Sequence, residues 1–404
     1  MAYNFVVALT VFISSVFVAR TLGPELKGIY SLLVLIPAVL YTLGHFGINL
    51  ATNFFIANKQ ENRANVANTS LAISLALGMF FALLGFLIHL LLKNIFLPGV
   101  SNIFFIIVLL IIPTQLVFSS LDNTLLGMKQ VRLFNQFYFG KVAINTLLVI
   151  LIYFIWGGNL LLFILALLFS QLLLLPILIK YVKKSVFLSF NFYNRLTARK
   201  LFRFGLKNYL NYLTLYLEFK IDILIVYSFL GSLSVGFYSI AVAAAETSTI
   251  LVSAINTVIF PLIAGTKLAN EAKRHKVFSI FFSLVSSVII SALLFLLAPL
   301  LVPAVFGDAF TPAVYPLQIL AVATIFSNLK RTIMNNFSAE DKSHINNFVN
   351  LPSLALNICL NIFLIPRFGI TGAAYASLTS YVLSGTAMLI IYLEHQRINL
   401  HSKK

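Results

Sequence analysis

The sequence predicts an all-α integral membrane protein, with twelve transmembrane helices in two six-helix lobes related by a pseudo-twofold axis along the membrane normal. Three observations lead there. Of the 404 residues, 60% are apolar and only 10% charged, against roughly a quarter charged in a soluble domain. Apolar stretches long enough to span a bilayer, about 20 residues each, recur from end to end. The basic residues, 28 against 11 acids for a net charge of +17, crowd into alternate connectors. Mean hydropathy is +0.99.

The apolar stretches run over 2–19, 28–56, 66–92, 104–126, 137–156, 160–179, 209–230, 235–264, 278–306, 313–334, 347–365 and 372–393. Within lipid their backbone groups find no water, so each stretch is a helix; runs apolar all round do not fit the short alternating segments of a membrane barrel. The first is followed by further spans and lacks a small-residue cleavage site, so it is not a secretory signal. It begins almost at Met1, which leaves room for a cytoplasmic lead-in ahead of it. The connectors after even-numbered helices, with the C-terminal tail, hold 22 of the 28 cations, counting Lys330 and Arg331, which can equally be placed within helix ten among the cations at depth. The other side holds Arg20, Lys27, Lys93 and Arg367, while Lys141 and Lys220 fall inside spans. The positive-inside rule then puts both termini in the cytoplasm of a multi-pass inner-membrane protein. The charge is topology rather than a surface for nucleic acid.

Residues 1–183 are read as the N-terminal lobe, 184–208 as a basic cytoplasmic linker and 209–404 as the C-terminal lobe. The lobes resemble each other. Leu22, Gly23, Gly28, Tyr30 and Ser31 between helices one and two match Leu230, Gly231, Gly236, Tyr238 and Ser239 between seven and eight at one offset. Asn123, Asn135 and Asn145 match Asn335, Asn347 and Asn357 at an offset four residues larger. Six helices per repeat is an even number, so both halves keep one membrane orientation around a central cavity.

Polar residues along the spans mark the candidate path, because charges at bilayer depth are costly and by default functional. Helix two carries Asn49 and Asn53, with His45 between Gly44 and Gly47 as a titrating or simply packed group; helix four carries Gln115, Ser119 and Asp122, helix five Lys141 and Asn145, and helix eleven Asn357. Cys359, the single cysteine, lies in an apolar run and is expected to be a buried thiol. In the linker, Arg195, Arg199, Arg203 and Lys207 recur every fourth residue. They share one helix face, either a solvated loop or an interfacial helix that lays Leu196, Phe202 and Leu206 on lipid and gathers anionic head groups at the cytoplasmic mouth. Helix seven carries Glu218, Lys220 and Asp222, and helix eight Glu246. Glu218 and Asp222 are four apart and share a face. Two carboxylates there cannot both ionise cheaply, which suits proton coupling, unless Lys220 or a neighbouring cation pairs with one and fixes helix packing.

Several segments resemble a known family. Arg20-Thr21-Leu22-Gly23-Pro24 with Gly28-Ile29-Tyr30, then Gly44 and Gly47, resemble the opening of the polysaccharide-biosynthesis flippases. The likeness continues through Asp222, Gly231, Gly236 and Tyr238, then Phe260-Pro261, and Phe306-Gly307-Asp308-Ala309-Phe310 with Pro316 and Leu320. It ends in Asn361 to Ala374, the most specific segment. The lipid-linked O-antigen (Wzx-type) flippases are the best-known branch of this family, within the multidrug, oligosaccharidyl-lipid and polysaccharide (MOP) exporter superfamily. The resemblance implies a MATE-like, two-lobed transporter that moves a polyprenyl-diphosphate-linked sugar unit from the cytoplasmic to the outer leaflet by alternating access. Two departures stand out: the usual cytoplasmic lead-in is missing, and so is the extra C-terminal helix pair of the fourteen-helix branches.

On that reading, Arg20, Lys141, Lys220 and Arg331 form the diphosphate path, since a diphosphate needs positive charge and an arginine fork matches its oxygens. Long cations near helix ends can equally snorkel to water. Glu218, Asp222, Glu246 and Asp122 are the ion-coupling candidates, for H+ or Na+, and Asn49, Asn53, Gln115, Asn145 and Asn357 offer amides to sugar hydroxyls. More often such amides bond between helices. Membrane lipids and the polysaccharide polymerase machinery are the expected partners. No cofactor or metal is expected. An enzyme such as a membrane glycosyltransferase or polymerase is disfavoured: the outer connectors are too short to build a site, and GxxxxGK[S/T] and HExxH are missing. A multidrug antiporter of the same superfamily is the closer rival, because four interior acids could hold a cationic drug. A channel fits the repeat less well.

Overall fold

A computed structural model describes residues 2–59, 61–92, 101–186, 188, 193–266, 269–340 and 342–401. The helices are α1 (Ala2–Gly44), α2 (Ile48–Ala57), α3 (Arg63–Leu92), α4 (Asn102–Gly127), α5 (Val131–Trp156), α6 (Leu160–Ser185), α7 (Arg195–Gly265), α8 (Ala269–Phe306), α9 (Val314–Ala339) and α10 (His344–His401), with a 3-10 turn over Asp308–Ala313. No strand occurs among the described residues. Helix starts follow their side-chain caps. The Asn159 carboxamide accepts from the Leu161 N–H at 2.8 Å, and that of Asn194 from the Thr197 N–H at 3.0 Å.

Among the described residues, nine helices are long and apolar enough to cross a membrane. Twelve separate helices, expected from the sequence, are not seen among the described residues, and the difference has a local cause. Three of the nine run 40, 52 and 52 residues, which at about 1.5 Å per residue is at least twice the hydrocarbon thickness. Each contains one non-helical residue, Gly23 in α1 (φ 66°), Gly231 in α7 (φ 77°) and Gly369 in α10 (φ 61°). Positive φ is cheap only for glycine, and one such residue turns the chain while hydrogen bonding continues on both sides. In α7 the turn folds the helix back, since the Tyr238 hydroxyl reaches Asp222 and Lys220 reaches Glu246. In α10 it brings Gly372 against the Leu364 carbonyl. A further difference falls in the predicted second helix, which breaks over 45–47, where Phe46 (φ 43°) and Gly47 (φ 72°) leave helical geometry. His45 is part of that break: its Nδ1 accepts from the Gly47 N–H at 2.9 Å, and its ring packs edge-on against Tyr209 and Tyr212.

The chain divides into two compact units, one comprising 9–22 and 29–213, the other 1–8, 23–28 and 214–404. In the first, the opening turns of α7 are pinned by apolar contact. Ala198 and Leu201 are buried with Ile48, Ala51, Ile56, Val66 and Ile73, and Phe202 packs against the same cluster rather than facing outward. Gly205 and Gly47 meet backbone to backbone, so a Cβ on either would strike the other strand of chain. The residues from Arg195 to Lys207, expected in a separate linker, are helical and form the start of α7. Arg195, Arg199, Arg203 and Lys207 are all exposed, as are Leu196 and Leu206.

In the second unit, α8 and α9 are joined by a polar ladder. Ser279, Ser283, Ser287 and Ser291 on α8 bond to Asn336, Thr332, Asn328 and Thr324 on α9, with rungs of 3.2, 2.9, 3.0 and 3.4 Å. The numbers rise on one helix as they fall on the other, so the helices are antiparallel, with one rung per turn. Small residues at four-residue spacing let helices approach closely in lipid, where hydrophobic burial supplies no association force.

A charged cluster ties the ends of α8, α9 and α10. Glu340 pairs with Lys276, and its Oε2 lies 3.5 Å from Lys342 and 3.9 Å from His395. Burial pushes the Glu340 carboxyl up, but the hydrogen bond and charge of Lys276, with Lys342 and His395, outweigh it and hold the group below the usual glutamate range. A depressed carboxylate stabilises the fold above its unfolded value, and that contribution is lost as pH falls through the folded value. Glu340→Gln is therefore expected to lower the unfolding temperature at neutral pH. The gap from wild type should close as pH falls through the depressed Glu340 value; a gap independent of pH would remove the charge from the explanation.

One sequence expectation is corrected here: Cys359 is exposed on the helix surface rather than buried. Lys330 and Arg331 lie inside α9, a placement the sequence left open, and Lys330 is only 1% exposed.

Candidate functional site

Among the described residues, the charged side chains expected at bilayer depth fall into two groups, one in each unit. In the unit containing Thr214–Lys404 they gather on α7 and α9, with hydroxyls supplied from α10. Glu218 is fully buried and salt-bridged by Lys330, whose Nζ lies 2.8 and 2.6 Å from the two carboxylate oxygens, and the Ser353 hydroxyl donates to the same carboxylate at 2.5 Å. Asp222, one turn on, has separate donors: the Tyr238 hydroxyl at 2.6 Å, the Ile223 N–H at 2.8 Å and the Ser377 hydroxyl at 3.5 Å. The two acids do share the face that meets α10, as their spacing predicts, but neither is the other's partner. Lys220 points away from them and pairs with Glu246 at 2.8 Å.

These pairs differ in accessibility. Lys330 and Glu218 are 1% and 0% exposed, whereas Lys220 and Glu246 are 26% and 33% exposed. Arg331 stands beside the open pair. Its guanidinium carbon lies 4.8 Å from the Phe219 ring centroid, its buried Nε has no hydrogen-bond partner, and it acts electrostatically on Glu246. Asn357 is fully buried; it donates to Ser380 across the Gly369 turn of α10 at 3.1 Å and accepts from Asn361, one turn on, at 3.0 Å.

In the other unit, Lys141 on α5 sits 5.2 and 5.5 Å from the ring centroids of Phe118 and Tyr138. It acts electrostatically on Asp122, whose buried Oδ1 has no hydrogen-bond partner. Asn145, one turn from Lys141, also has a buried, unpartnered Oδ1. Asn49 donates to Ser119 at 2.8 Å and Tyr41 at 3.2 Å, leaving its own Oδ1 without a partner. Gln115 accepts from Gln171 at 3.1 Å, and both border a cavity of about 190 Å³ with Val34, Pro37, Ala38, Ile111 and Leu167. Asn53 is half-buried and Arg20 is exposed. Sequence reasoning missed Ser353 and Ser377 as partners of the acids, Tyr381 as a donor to the Glu218 main-chain carbonyl at 3.3 Å, and the α8–α9 ladder. The ladder had a signal, serine and Asn/Thr at four-residue spacing on both helices. The hydroxyls on α10 had none, because they are defined by what lies opposite them.

The arrangement is that of a multi-pass helical membrane protein with ionic groups held inside the bilayer, and its fold matches solved transporters. An inward-facing multidrug resistance MATE family transporter of the MOP superfamily superposes with a TM-score of 0.81 over 98% of this chain and 96% of that one, at 13% identity. The lipid II flippase MurJ in an inward closed conformation gives 0.77 over 97% and 86%, at 14% identity. A family model for polysaccharide biosynthesis proteins matches residues 17–393, and the chain belongs to that family. A relative in Haloferax volcanii, the "Probable low-salt glycan biosynthesis flippase Agl15", is 27% identical over 190 residues, 46% of this chain and 40% of its own length. These relatives are named as transporters and flippases rather than enzymes.

Proposed function

We propose that the protein flips a polyprenyl-diphosphate-linked oligosaccharide from the cytoplasmic to the outer leaflet of the cytoplasmic membrane, by alternating access, for surface polysaccharide synthesis. Family membership supports the class. The observation that carries the substrate is the state of the interior charges. Glu218 and Glu246 are matched by lysines and Asp222 by hydroxyls and a backbone N–H, while Arg331 and Lys141 rest on aromatic rings. Under-neutralised cations at depth suit a diphosphate. A cationic drug needs unmatched acids, and only Asp122 among the four candidate acids keeps an orphaned oxygen.

On this account Lys141 and Arg331, with Arg20 and Lys220, bind the diphosphate along its path. Asn145, Asn49, Asn53 and Gln115 bond sugar hydroxyls, and Asp122 is the strongest of the coupling candidates for H+ or Na+. Asn357, Glu218 and Asp222 hold helices together. Each long helix, α1, α7 and α10, supplies two crossings about its glycine turn, giving twelve in two lobes of 1–183 and 209–404, with both termini cytoplasmic. The exposed basic face from Arg195 to Lys207 lies on anionic lipid head groups. The chain serves a polysaccharide polymerase on the outer side.

Depleting the protein in its host should make lipid-linked glycan accumulate on the cytoplasmic leaflet. Arg331→Gln and Lys141→Gln should each fail to relieve that accumulation while reaching wild-type levels in the membrane. Drug hypersensitivity without glycan accumulation would favour the antiporter instead.

A further inference from the structure

Among the described residues, Glu246 is the one interior carboxylate that is both ion-paired and partly open. Lys220 holds it at 2.8 Å, Arg331 acts on it from α9, and a third of its side-chain surface is accessible. Asp222 and the Tyr381 hydroxyl also face it electrostatically. The sealed pair, Glu218 with Lys330, is bonded further by Ser353 and has no comparable exposure. Arg331 brings a guanidinium with a buried, unpartnered Nε, already steadied by the Phe219 ring.

Lys220 and Glu246 lie at similar depth along the two arms of α7. Lys220 is 11 residues from the Gly231 turn on one arm of α7 and Glu246 is 15 residues from it on the other, about 16 and 22 Å at helical rise. That is a mid-membrane position in a hydrocarbon core of about 30 Å. The site therefore contains two cations, one of them a fork suited to phosphate oxygens, and an internal anion occupying part of their capacity.

We propose that Glu246 is a built-in counter-anion that the substrate's diphosphate displaces. This deepens the reading above and rests on it. With the site empty of substrate, Glu246 neutralises Lys220 and tempers Arg331, so two cations need not stand unmatched in the membrane. An entering diphosphate takes the bidentate face of Arg331 and the ammonium of Lys220, and Glu246 swings to its accessible side. On release, Glu246 returns to Lys220 and competes the diphosphate away. The carboxylate thus weakens binding and speeds turnover, opposite to the effect of a residue that merely holds the helices. No bond is made or broken; one anion replaces another at the same cations.

The test is binding of a diphosphate to the full chain in phosphatidylcholine nanodiscs, with inorganic diphosphate and farnesyl diphosphate as separate probes. Glu246→Gln should bind farnesyl diphosphate about tenfold more tightly than wild type, an effect of the size expected from removing a competing charge at close range. Its multiple-turnover translocation should be slower. Arg331→Gln in the same background should abolish the gain. If both probes tighten equally, the site reads phosphate alone; if only the prenylated probe does, it reads the lipid head group, and either outcome supports displacement. Equal affinity in wild type and Glu246→Gln, with both binding, overturns displacement and leaves the flippase reading intact. Binding of neither probe to either protein overturns both. Should Glu246→Gln fail to fold, Glu246→Asp draws the anion back from Lys220 and should shift affinity in the same direction, by less.

Discussion

Lys330→Met is expected to be the most damaging single substitution in the protein, reducing stability by about 3–5 kcal/mol, the range for removing one partner of a buried ion pair. Lys330 and Glu218 are 1% and 0% exposed, and the bridge joins α9 to α7 across 112 positions of sequence. Without the ammonium, Glu218 keeps only the Ser353 hydroxyl as a side-chain donor, and a lone carboxylate cannot be hydrated there. The double substitution Glu218→Gln with Lys330→Met should recover most of the loss, because an amide retains the serine contact and leaves no charge behind. Monodisperse protein surviving a heating series in detergent reads this directly. A double variant as unstable as the single would mean that Lys330 acts through packing rather than charge.

Gly28→Ala and Gly236→Ala should also prevent normal folding, for a steric reason. A Cβ on Gly28 would overlap the Ser232 carbonyl, and a Cβ on Gly236 would overlap the Pro24 carbonyl. The contact is reciprocal. Gly28 and Gly236 correspond in the internal repeat, as do Pro24 and Ser232, so each half presents a glycine to the other half's turn. Backbone carbonyls cannot rotate aside as a flexible side chain can, and both turns would have to separate. Gly23→Ala is the informative comparison. Gly23 has φ 66° and ψ 177° but nothing within 4 Å of where its Cβ would stand, so only this backbone conformation, one used almost solely by glycine, penalises the change, by about 1–3 kcal/mol. Gly28→Ala should therefore lose far more folded protein than Gly23→Ala; the reverse order would contradict the crossing.

What was legible in the residues and what was not follows a physical division. Lipid forbids unpaired backbone, so the apolar runs alone predict helices. The repeat pointed to Gly23 and Gly231 before any geometry was known, and four-residue spacing placed Arg195, Arg199, Arg203 and Lys207 on one exposed face. Spacing also told that Glu218 and Asp222 share a face. It could not tell what stands opposite, because Lys330 and Ser353 come from helices more than a hundred residues away. Lys220 and Glu246 meet only because α7 folds back at Gly231, a turn that a hydropathy count treats as a gap between spans. Cys359 shows the same limit from the other side. A lipid-facing position and a core position are equally apolar, so an apolar run does not say which way its cysteine points.

The central claim is that the chain carries a diphosphate-linked glycan across the bilayer, and one reconstitution tests it. Full-length protein in liposomes would be given a fluorescent polyprenyl-diphosphate-linked glycan on both leaflets, with a membrane-impermeant reagent destroying the outer pool. The account predicts that wild-type protein makes nearly the whole pool accessible, while Arg331→Gln protein leaves about half protected, as in protein-free liposomes. Protection of half the glycan by wild-type protein, in vesicles where the same preparation exports a cationic dye, would contradict it.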